Sequence, residues 1–285
     1  MPTPSFPRDE ARRVVREALR EDLGTAGDVT TRAVFPDPVR GGGRLVAREE
    51  LVVAGIELAS LVMEADPFPG ADRVRVVEAR RDGERLGPGD VLAVLEGDVR
   101  TLLAGERVLL NLLQRLCGIA TLAAACVAEV AGTGTRVADT RKTTPGLRAL
   151  EKYAVAVAGG ENHRMTLDGM ILLKDNHKVL AGGLREALSR VLAAGHDPAT
   201  IEVEVDDLDE LRVALEFRPG WILLDNMDPD DVREAVRLVD GRARIEVSGG
   251  LRPGNLRPYA EAGADRLSLG ALTHSVRAVD IGLDI

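Results

Sequence analysis

The chain has 285 residues, of which 45% are hydrophobic and 29% charged, a composition typical of a soluble globular protein with a sizeable core. Its formal net charge of −9 argues against nucleic acid as an electrostatic partner. No apolar run reaches the roughly 18 residues that a membrane helix needs. At the N terminus, prolines and charges stand where a signal peptide would be apolar, so we expect a cytoplasmic protein that binds no membrane.

The first third of the chain predicts one amphipathic helix followed by short strands. Residues 9–23 have apolar side chains at helical spacing, with Pro7 suited to the start and Gly24 to the end. Short alternating segments separated by turns then predict an antiparallel sheet, with strands at 43–48, 74–77 and 91–95. We therefore predict an α+β sandwich domain over residues 1–115, against which the last ~15 residues of the chain could also pack.

The remainder of the chain predicts a long helix and then a series of alternating strands and helices. Residues 101–130 have a helical pattern, with a break expected near Gly118. Alternation of strands and helices is typical of parallel βα units, and the length allows six or seven strands rather than the usual eight. We predict an α/β fold with an incomplete six- or seven-stranded barrel over residues 116–285. The expected strands are 136–139, 170–173, 201–205, 221–224, 244–247 and 266–269.

Positive charge is concentrated in residues 141–178. This segment has seven Lys or Arg residues against four Asp or Glu, a net charge of +3 in a chain of −9. It also contains all four lysines of the chain, Lys142, Lys152, Lys174 and Lys178. Arginine supplies every other positive charge, which indicates that lysine is kept where a compact ammonium group is needed. We assign a function to Lys142 and Lys174, expect Lys152 and Lys178 on the surface, and predict a small anionic ligand.

Every predicted barrel strand ends in a polar or functional group, at the rim where α/β barrels bind their ligands. Glu202 and Glu204 share one face of a strand, as do Glu246 and Ser248. Carboxylates inside a barrel need an ion-pair partner or a metal. The rim groups are Thr140-Arg141-Lys142, Lys174, Glu204, Asp225, Ser248-Gly249-Gly250 and Gly270.

Two kinds of ligand suit this rim. The carboxylates Glu204 and Asp225 suit Mg²⁺, bound directly or indirectly, or the hydroxyls of a ribose. Backbone N–H groups are accessible at Gly249 and Gly250, where we expect a helix to start, and at Gly270. Because barrel enzymes commonly bind phosphate near their last two strands, these glycines predict a phosphate site.

Several longer strings of residues resemble quinolinate phosphoribosyltransferase over most of the chain, and the string Thr140 to Gly146 is highly specific. The strings are Gly105-Glu-Arg107, Asn111-Leu-Leu-Gln-Arg-Leu-Cys-Gly-Ile-Ala-Thr121, Asp139-Thr-Arg-Lys-Thr-Thr-Pro-Gly-Leu-Arg148, Glu151-Lys-Tyr-Ala154, Gly159-Gly-Glu-Asn-His-Arg164, Leu173-Lys-Asp-Asn-His177, Glu202-Val-Glu-Val-Asp206, Leu224-Asp-Asn-Met227 and Val247-Ser-Gly-Gly250. The resemblance implies transfer of phosphoribosyl from phosphoribosyl pyrophosphate to quinolinate, with Mg²⁺. The products would be nicotinate mononucleotide, pyrophosphate and CO₂, in de novo NAD synthesis.

The resemblance also implies a homodimer, or a hexamer built of dimers, in which Arg107 reaches the active site of the partner subunit. Among the residues of the site, Lys142, Lys174, Glu204 and Asp225 are implied to be catalytic. Quinolinate would be bound by Arg141, His163, Arg164 and Lys174, and the phosphoribosyl donor by Lys142. Ribose or its Mg²⁺ would be bound by Glu204 and Asp225, and the 5′-phosphate by Ser248, Gly249, Gly250 and Gly270. Thr140 is also expected to bind substrate.

Three residues, Ala158, Thr166 and Gly169, depart from the family pattern. These departures affect the expected shape of the substrate loop more than its chemistry.

Alternative functions remain open. A related phosphoribosyltransferase could use nicotinate or another heterocyclic carboxylate, and a relative linked to molybdate transport would keep the fold with another substrate. A non-catalytic sensor of phosphate or nucleotide would not need both rim carboxylates. The number of cations fits a ligand with two carboxylates better than one.

Overall fold

The computed structural model describes residues 4–65, 68 and 73–285, which form two compact units. The first unit comprises Met1–Ala124, Thr143–Gly159 and Thr273–Ile285, and the second comprises Ala125–Lys142 and Gly160–Leu272. The chain therefore passes between the units four times. The sequence instead predicted a single boundary, after residue 115.

The first 130 residues contain four helices and five strands within the described ranges. In chain order they are α1 (Arg8–Leu23), α2 (Val29–Val34), β1 (Arg40–Ala47), β2 (Leu51–Val52), α3 (Leu58–Glu64), β3 (Arg75–Ala79), β4 (Arg85–Leu86), β5 (Val91–Asp98) and α4 (Val99–Glu129). The predicted break in α4 is wrong, because the helix continues through Gly118. A Cβ atom at Gly118 would lie 2.3 Å from the carbonyl oxygen of Arg277, so glycine allows a close backbone approach there.

The six predicted barrel strands are all present, each within one residue of its predicted bounds. The elements that follow α4 are β6 (Arg136–Ala138), α5 (Arg148–Val157), β7 (Ile171–Leu173), α6 (Asp175–Ala181), α7 (Leu184–Ala193), a 3₁₀ turn (Pro198–Thr200), β8 (Ile201–Val205), α8 (Leu208–Glu216), β9 (Trp221–Asp225), α9 (Pro229–Val239), β10 (Arg244–Ser248), α10 (Arg257–Glu261), β11 (Arg266–Ser268), α11 (Ala271–His274) and β12 (Ile281–Asp284).

The first unit is built around an antiparallel sheet in the order β12-β1-β5-β3, with β2 and β4 forming a separate pair. The C-terminal strand β12 therefore pairs with β1, and the side chain of Gln114 donates a hydrogen bond to the carbonyl oxygen of Ile281. Helix α1 buries Ala11, Val14, Val15 and Leu19, the apolar stripe that its helical spacing predicts. The predicted α+β unit with an antiparallel sheet is confirmed.

One helix among the described residues, α4, is long and apolar enough by length and composition to cross a membrane, but 61% of its most apolar window is buried inside the protein. The prediction from uninterrupted apolar runs overlooked it, because charges such as Arg115 divide it into shorter runs. An apolar helix that is mostly covered by protein has the composition expected of a core helix.

The second unit contains six parallel strands within its described residues 125–142 and 160–272, in the order β6-β11-β10-β9-β8-β7. Strands β6 and β7 are consecutive in the chain and form the two edges of the sheet, so the described barrel is not closed between them. The edge at β6 is extended by a single parallel bridge between Ala138 and Glu161. The prediction of an incomplete α/β barrel is confirmed, and all six strands present their carboxyl ends at one rim.

Candidate active site

A cavity of about 290 Å³ lies in the second unit, at the carboxyl ends of the barrel strands. Seven of its described lining residues were predicted from the sequence as site residues, and four were not. The predicted ones are Thr140, Arg141, Lys142, His163, Arg164, Lys174 and Ser248, and the additional ones are Leu172, Leu223, Glu246 and Ser268.

A signal for the four missed residues is present in the sequence. Each of the four lies two positions before a predicted site residue at the end of its strand. Leu172 precedes Lys174 in this way, and Glu246 precedes Ser248. Side chains two apart share one face of a strand, so a residue below a rim residue points into the same space. The alternation that identified the shared faces of Glu202 and Glu246 would also have identified the cavity floor.

Two guanidinium groups carry much of the positive charge of the cavity. Burial lowers the pKa of Arg164, the nearby charge of Arg141 lowers it further, and the charge of Glu202 opposes both effects. Arg164 donates a 2.7 Å hydrogen bond from Nη1 to the carbonyl oxygen of Met170, while its buried Nε has no partner among the described residues. Adjacent arginines that repel each other are stabilised when an anion binds between them.

Lys174 and Glu204 form an ion pair at the rim. The Nζ atom of Lys174 lies 2.5 Å from Oε2 of Glu204, and the lysine side chain is 48% exposed while that of the glutamate is 7% exposed. Lys174 is the N-cap residue of α6, and its backbone N–H donates to Nδ1 of His177. The cation predicted for quinolinate and the carboxylate predicted for the ribose are therefore in contact with each other.

The expectation that Lys152 and Lys178 lie on the surface is wrong. Lys152 is 1% exposed and Lys178 is 5% exposed. Burial lowers the pKa of Lys178, but hydrogen bonds to Asp206 and Glu210 outweigh it and hold the pKa above its ordinary value. Both acidic residues come after β8 in the chain. Lys178 therefore holds α6 beside the segment that follows the rim carboxylate Glu204.

The glycine segment predicted to bind phosphate forms a bend, and no helix begins there, contrary to our expectation. Gly249 and Gly250 have φ values of +89° and +62°, and a Cβ atom at Gly249 would lie 2.2 Å from Oδ1 of Asn226. The segment after Ser248 is irregular until α10 begins at Arg257, because this left-handed backbone cannot start a helix. Gly270 immediately precedes α11, although no helix was predicted there.

Six predicted site residues are not among the described residues that line the cavity: Arg107, Glu204, Asp225, Gly249, Gly250 and Gly270. Asp225 ends β9 beside Ser248 in the register of the sheet, and one of its oxygens accepts a hydrogen bond from the side chain of Asn226. Arg107 belongs to the first unit, on α4, where its side chain is 60% exposed and its partner is Glu106 at 3.8 Å. The role predicted for Arg107 in a partner subunit stays a prediction.

The carboxylates inside the barrel have ion-pair partners. Glu202 and Glu246 are 0% and 1% exposed, and Arg266 contacts both. His163 places Nε2 3.1 Å from Oε2 of Glu202 and 3.6 Å from Oε1 of Glu246. The histidine and the two glutamates have ligand atoms within 4.8 Å of one another, a spacing compatible with a metal. Because Arg266 already neutralises these carboxylates, we interpret the cluster as a buried ion-pair network.

Burial and the charge of Glu202 raise the pKa of Glu246 to about 7, against the opposing charges of Arg266 and His163. The pKa of Glu202 is also raised, mainly by burial. Two buried carboxylates this close together cannot both ionise at low cost, so one of them holds a proton near neutral pH.

The departures from the family pattern are accommodated locally. Gly159 has a φ of +88° and makes the turn after α5, whereas Ala158 has a φ of −78° and needs no glycine. A Cβ atom at Gly169 would lie 3.7 Å from Cβ of Arg164, an ordinary contact. The side chain of Thr166 lowers the pKa of the exposed Asp168 by a hydrogen bond.

Comparisons with known proteins extend over nearly the whole chain. Two family models match, described as quinolinate phosphoribosyl transferase N-terminal domain over residues 28–117 and C-terminal domain over residues 119–284. A nicotinate-nucleotide pyrophosphorylase (carboxylating) of Mycobacterium leprae is 46% identical over 280 residues, with 97% of this chain and 98% of that protein covered. A probable enzyme of the same name from Methanocaldococcus jannaschii is 40% identical, with 98% of each chain covered. The solved nicotinate-nucleotide pyrophosphorylase of Francisella tularensis matches with a TM-score of 0.89 at 33% identity, with 98% and 97% covered.

Proposed function

The chain belongs to the quinolinate phosphoribosyltransferase family, and we propose that its barrel cavity joins quinolinate to phosphoribosyl pyrophosphate. The enzyme is a decarboxylating phosphoribosyltransferase, and its products are nicotinate mononucleotide, pyrophosphate and CO₂. The observation that carries this assignment is the convergence of four cationic side chains on one cavity in an acidic protein. They are Arg141, Lys142, Arg164 and Lys174.

The diacid fits the arginine side of the cavity. A guanidinium group can bind both oxygens of a carboxylate through two parallel N–H donors, and two adjacent guanidinium groups can hold two neighbouring carboxylates. The mutual repulsion of Arg141 and Arg164 is relieved when a dianion binds between them. We assign the compact ammonium of Lys174 to a single carboxylate oxygen and that of Lys142 to the phosphoribosyl donor.

The transfer step breaks the bond between the ribose C1′ and a pyrophosphate oxygen and forms a bond between C1′ and the ring nitrogen. Positive charge develops on the ribose as pyrophosphate leaves, and the carboxylates of Glu204 and Asp225 would stabilise it. The carboxyl group next to the ring nitrogen then departs as CO₂. Its electron pair passes to the ring carbon, where the positive charge of the pyridinium stabilises it, and a proton from solvent completes the product.

The donor side of the site suits Mg²⁺. Carboxylate oxygens are the ligands that Mg²⁺ prefers, and one oxygen of Asp225 accepts from Asn226, leaving the other available among the described contacts. Glu204 and Asp225 would hold the ion, directly or through water, where it would neutralise charge on the pyrophosphate group. The glycines Gly249, Gly250 and Gly270, with Ser248, would bind the 5′-phosphate through their backbone N–H groups.

The assembly is a homodimer, or a hexamer of dimers, in which the exposed guanidinium of Arg107 completes the site of the partner subunit. Its 60% exposed side chain supports this role, and the partner that the described residues give it is Glu106, at 3.8 Å. A cytoplasmic location agrees with the composition of the chain. The oligomeric state can be measured by analytical ultracentrifugation with and without substrate.

The test is incubation with phosphoribosyl pyrophosphate, Mg²⁺ and quinolinate labelled in the carboxyl group next to the ring nitrogen. We expect labelled CO₂ and nicotinate mononucleotide in equal amounts. Nicotinate is the matched control, because it lacks the carboxyl group that is lost. Equal turnover of nicotinate would overturn the quinolinate assignment in favour of a related transferase, and binding without CO₂ release would favour a sensor.

A further inference from the structure

We propose that Glu202 and Arg266, neither of which lines the cavity, are positioning residues that act through His163 to hold the quinolinate side of the site in its binding geometry. We call the four side chains His163, Glu202, Glu246 and Arg266 the barrel support. The proposal rests on the function proposed above, because it concerns how the same cavity binds the diacid.

The ring of His163 is held by a hydrogen bond at one nitrogen and lies against a carboxylate at the other. The backbone N–H of Arg164 donates to Nδ1 at 2.8 Å, so Nδ1 is an acceptor and the proton lies on Nε2. Nε2 in turn faces Oε2 of Glu202 at 3.1 Å. The backbone N–H of His163 donates to Oδ1 of the buried Asp139 at 2.9 Å, which anchors the loop itself. The hydrogen bond to Nδ1 defines the tautomer, and the carboxylate of Glu202, whose Oε2 has no hydrogen-bond partner among the described residues, lies where it attracts the Nε2–H group and orients the ring.

Arg164 connects the barrel support to the substrate. Its backbone N–H is bonded to the ring of His163, and its guanidinium lines the cavity. A rotation of the imidazole would therefore move the backbone of the residue that we assign to the diacid. Since a bidentate contact requires both N–H donors to be aligned, a small displacement of Arg164 weakens binding of quinolinate more than it affects the phosphoribosyl donor.

Arg266 contacts Trp221, the one tryptophan of the chain, in addition to the two glutamates. Its guanidinium carbon lies 3.9 Å from the centre of the Trp221 ring, a cation–π distance, while its Nη2 contacts both glutamates. Trp221, Arg266, the glutamates and His163 thus form a continuous column beneath the cavity. A buried ionic cluster is commonly no more stable than an apolar one of the same volume, so stability alone does not account for it.

Arg244 supplies a matched control. It also lies over Trp221, at 5.4 Å, on the neighbouring strand β10, but it makes no ion pair with either glutamate among the described contacts. Replacing it tests the loss of an arginine from the same ring without disturbing the barrel support.

The experiment compares the wild type, the double variant Glu202→Gln with Arg266→Gln, and the control Arg244→Gln. The double variant keeps the net charge, and Gln at position 202 keeps the shape of the glutamate, which favours folding. We expect its KM for quinolinate to rise about tenfold, with kcat and the KM for phosphoribosyl pyrophosphate changed by less than about twofold. The control should match the wild type. An unchanged KM for quinolinate in the folded double variant, or an equal rise in both KM values, would overturn the proposal.

A second measurement is independent of turnover. In ¹⁵N-histidine NMR spectra, one of the four histidines, identified by its loss in His163→Asn, should be the Nε2–H tautomer in the wild type and in Arg244→Gln. In Glu202→Gln, which also serves if the double variant does not fold, the Nε2–H proton of this histidine should exchange with solvent faster than in the wild type, because the ring loses the charge of its carboxylate neighbour. An unchanged exchange rate in that variant would contradict the role of Glu202. If the wild type releases no CO₂ from quinolinate, the proposed function fails, whereas the exchange measurement still tests the barrel support.

Discussion

The Nζ atom of Lys174 and Oε2 of Glu204 are 2.5 Å apart, across the neighbouring strands β7 and β8. This contact joins the cationic half of the site to its acidic half. In the function that we propose, Lys174 binds the diacid and Glu204 would stabilise the positive charge that develops on the ribose. The pair would therefore link binding of one substrate to stabilisation of the other.

Replacing Glu204 by Gln should lower kcat by at least ~100-fold, because a neutral amide cannot stabilise the positive charge that develops on the ribose. Asp225→Ala should have a similar effect. Glu210→Gln is the control, because it also removes an ion pair between a lysine and a glutamate. That pair, Lys178 with Glu210, lies outside the cavity. Steady-state turnover with thermal unfolding checks the prediction, and near-normal turnover in Glu204→Gln would refute the assigned role.

Replacing Arg164 by Lys should raise the KM for quinolinate at least about tenfold with a smaller effect on the phosphoribosyl donor. A lysine keeps the charge but cannot bind both oxygens of a carboxylate through parallel donors. Arg136→Lys is the control, because that residue lies at the edge strand β6 with its side chain 55% exposed. Equal changes in the two KM values would indicate general distortion of the loop instead.

Two glycines with similar backbone angles separate strain from crowding. Gly249 and Gly254 have φ values of +89° and +91°, but a new Cβ would meet Asn226 only at Gly249. Substitution by Ala should cost about 1 kcal/mol at Gly254 through the backbone alone. At Gly249 we expect a larger loss of stability and weaker binding of the phosphoribosyl donor. Chemical denaturation and donor titration measure the two effects, and identical behaviour of the variants would exclude the role of crowding.

The stability of the barrel should depend on pH through Glu246, whose pKa is raised to about 7 from an ordinary 4.5. The folded state holds this proton more tightly than the unfolded chain, so the stabilisation is complete below the ordinary pKa and is lost as the pH rises through about 7. The side chain of Glu246→Gln cannot ionise. As the pH rises from about 5 to about 8, the Tm of the wild type should therefore decrease relative to the Tm of this variant. Calorimetry across this range provides the test, and a constant difference would contradict it.

Local patterns in the chain were sufficient for the elements and for most of the rim. Residues two apart share a strand face, and parallel strands end at one edge of the sheet. The sequence alone therefore assigned Lys174, Glu204 and Ser248 to one rim. The same reasoning misjudged Gly118, whose role is a contact with Arg277 that is distant in sequence. It also misjudged Lys178, which is buried by acidic residues of the next βα unit.

Composition and periodicity thus established the fold class, the strands and the chemical character of the rim, because these depend on interactions between residues close in the chain. The network of His163, Glu202, Glu246 and Arg266 depended on folding of the whole barrel. These residues come from separate segments, and their distances follow from the curvature and register of the sheet. Only tertiary packing could decide that an arginine and a histidine lie against the interior carboxylates.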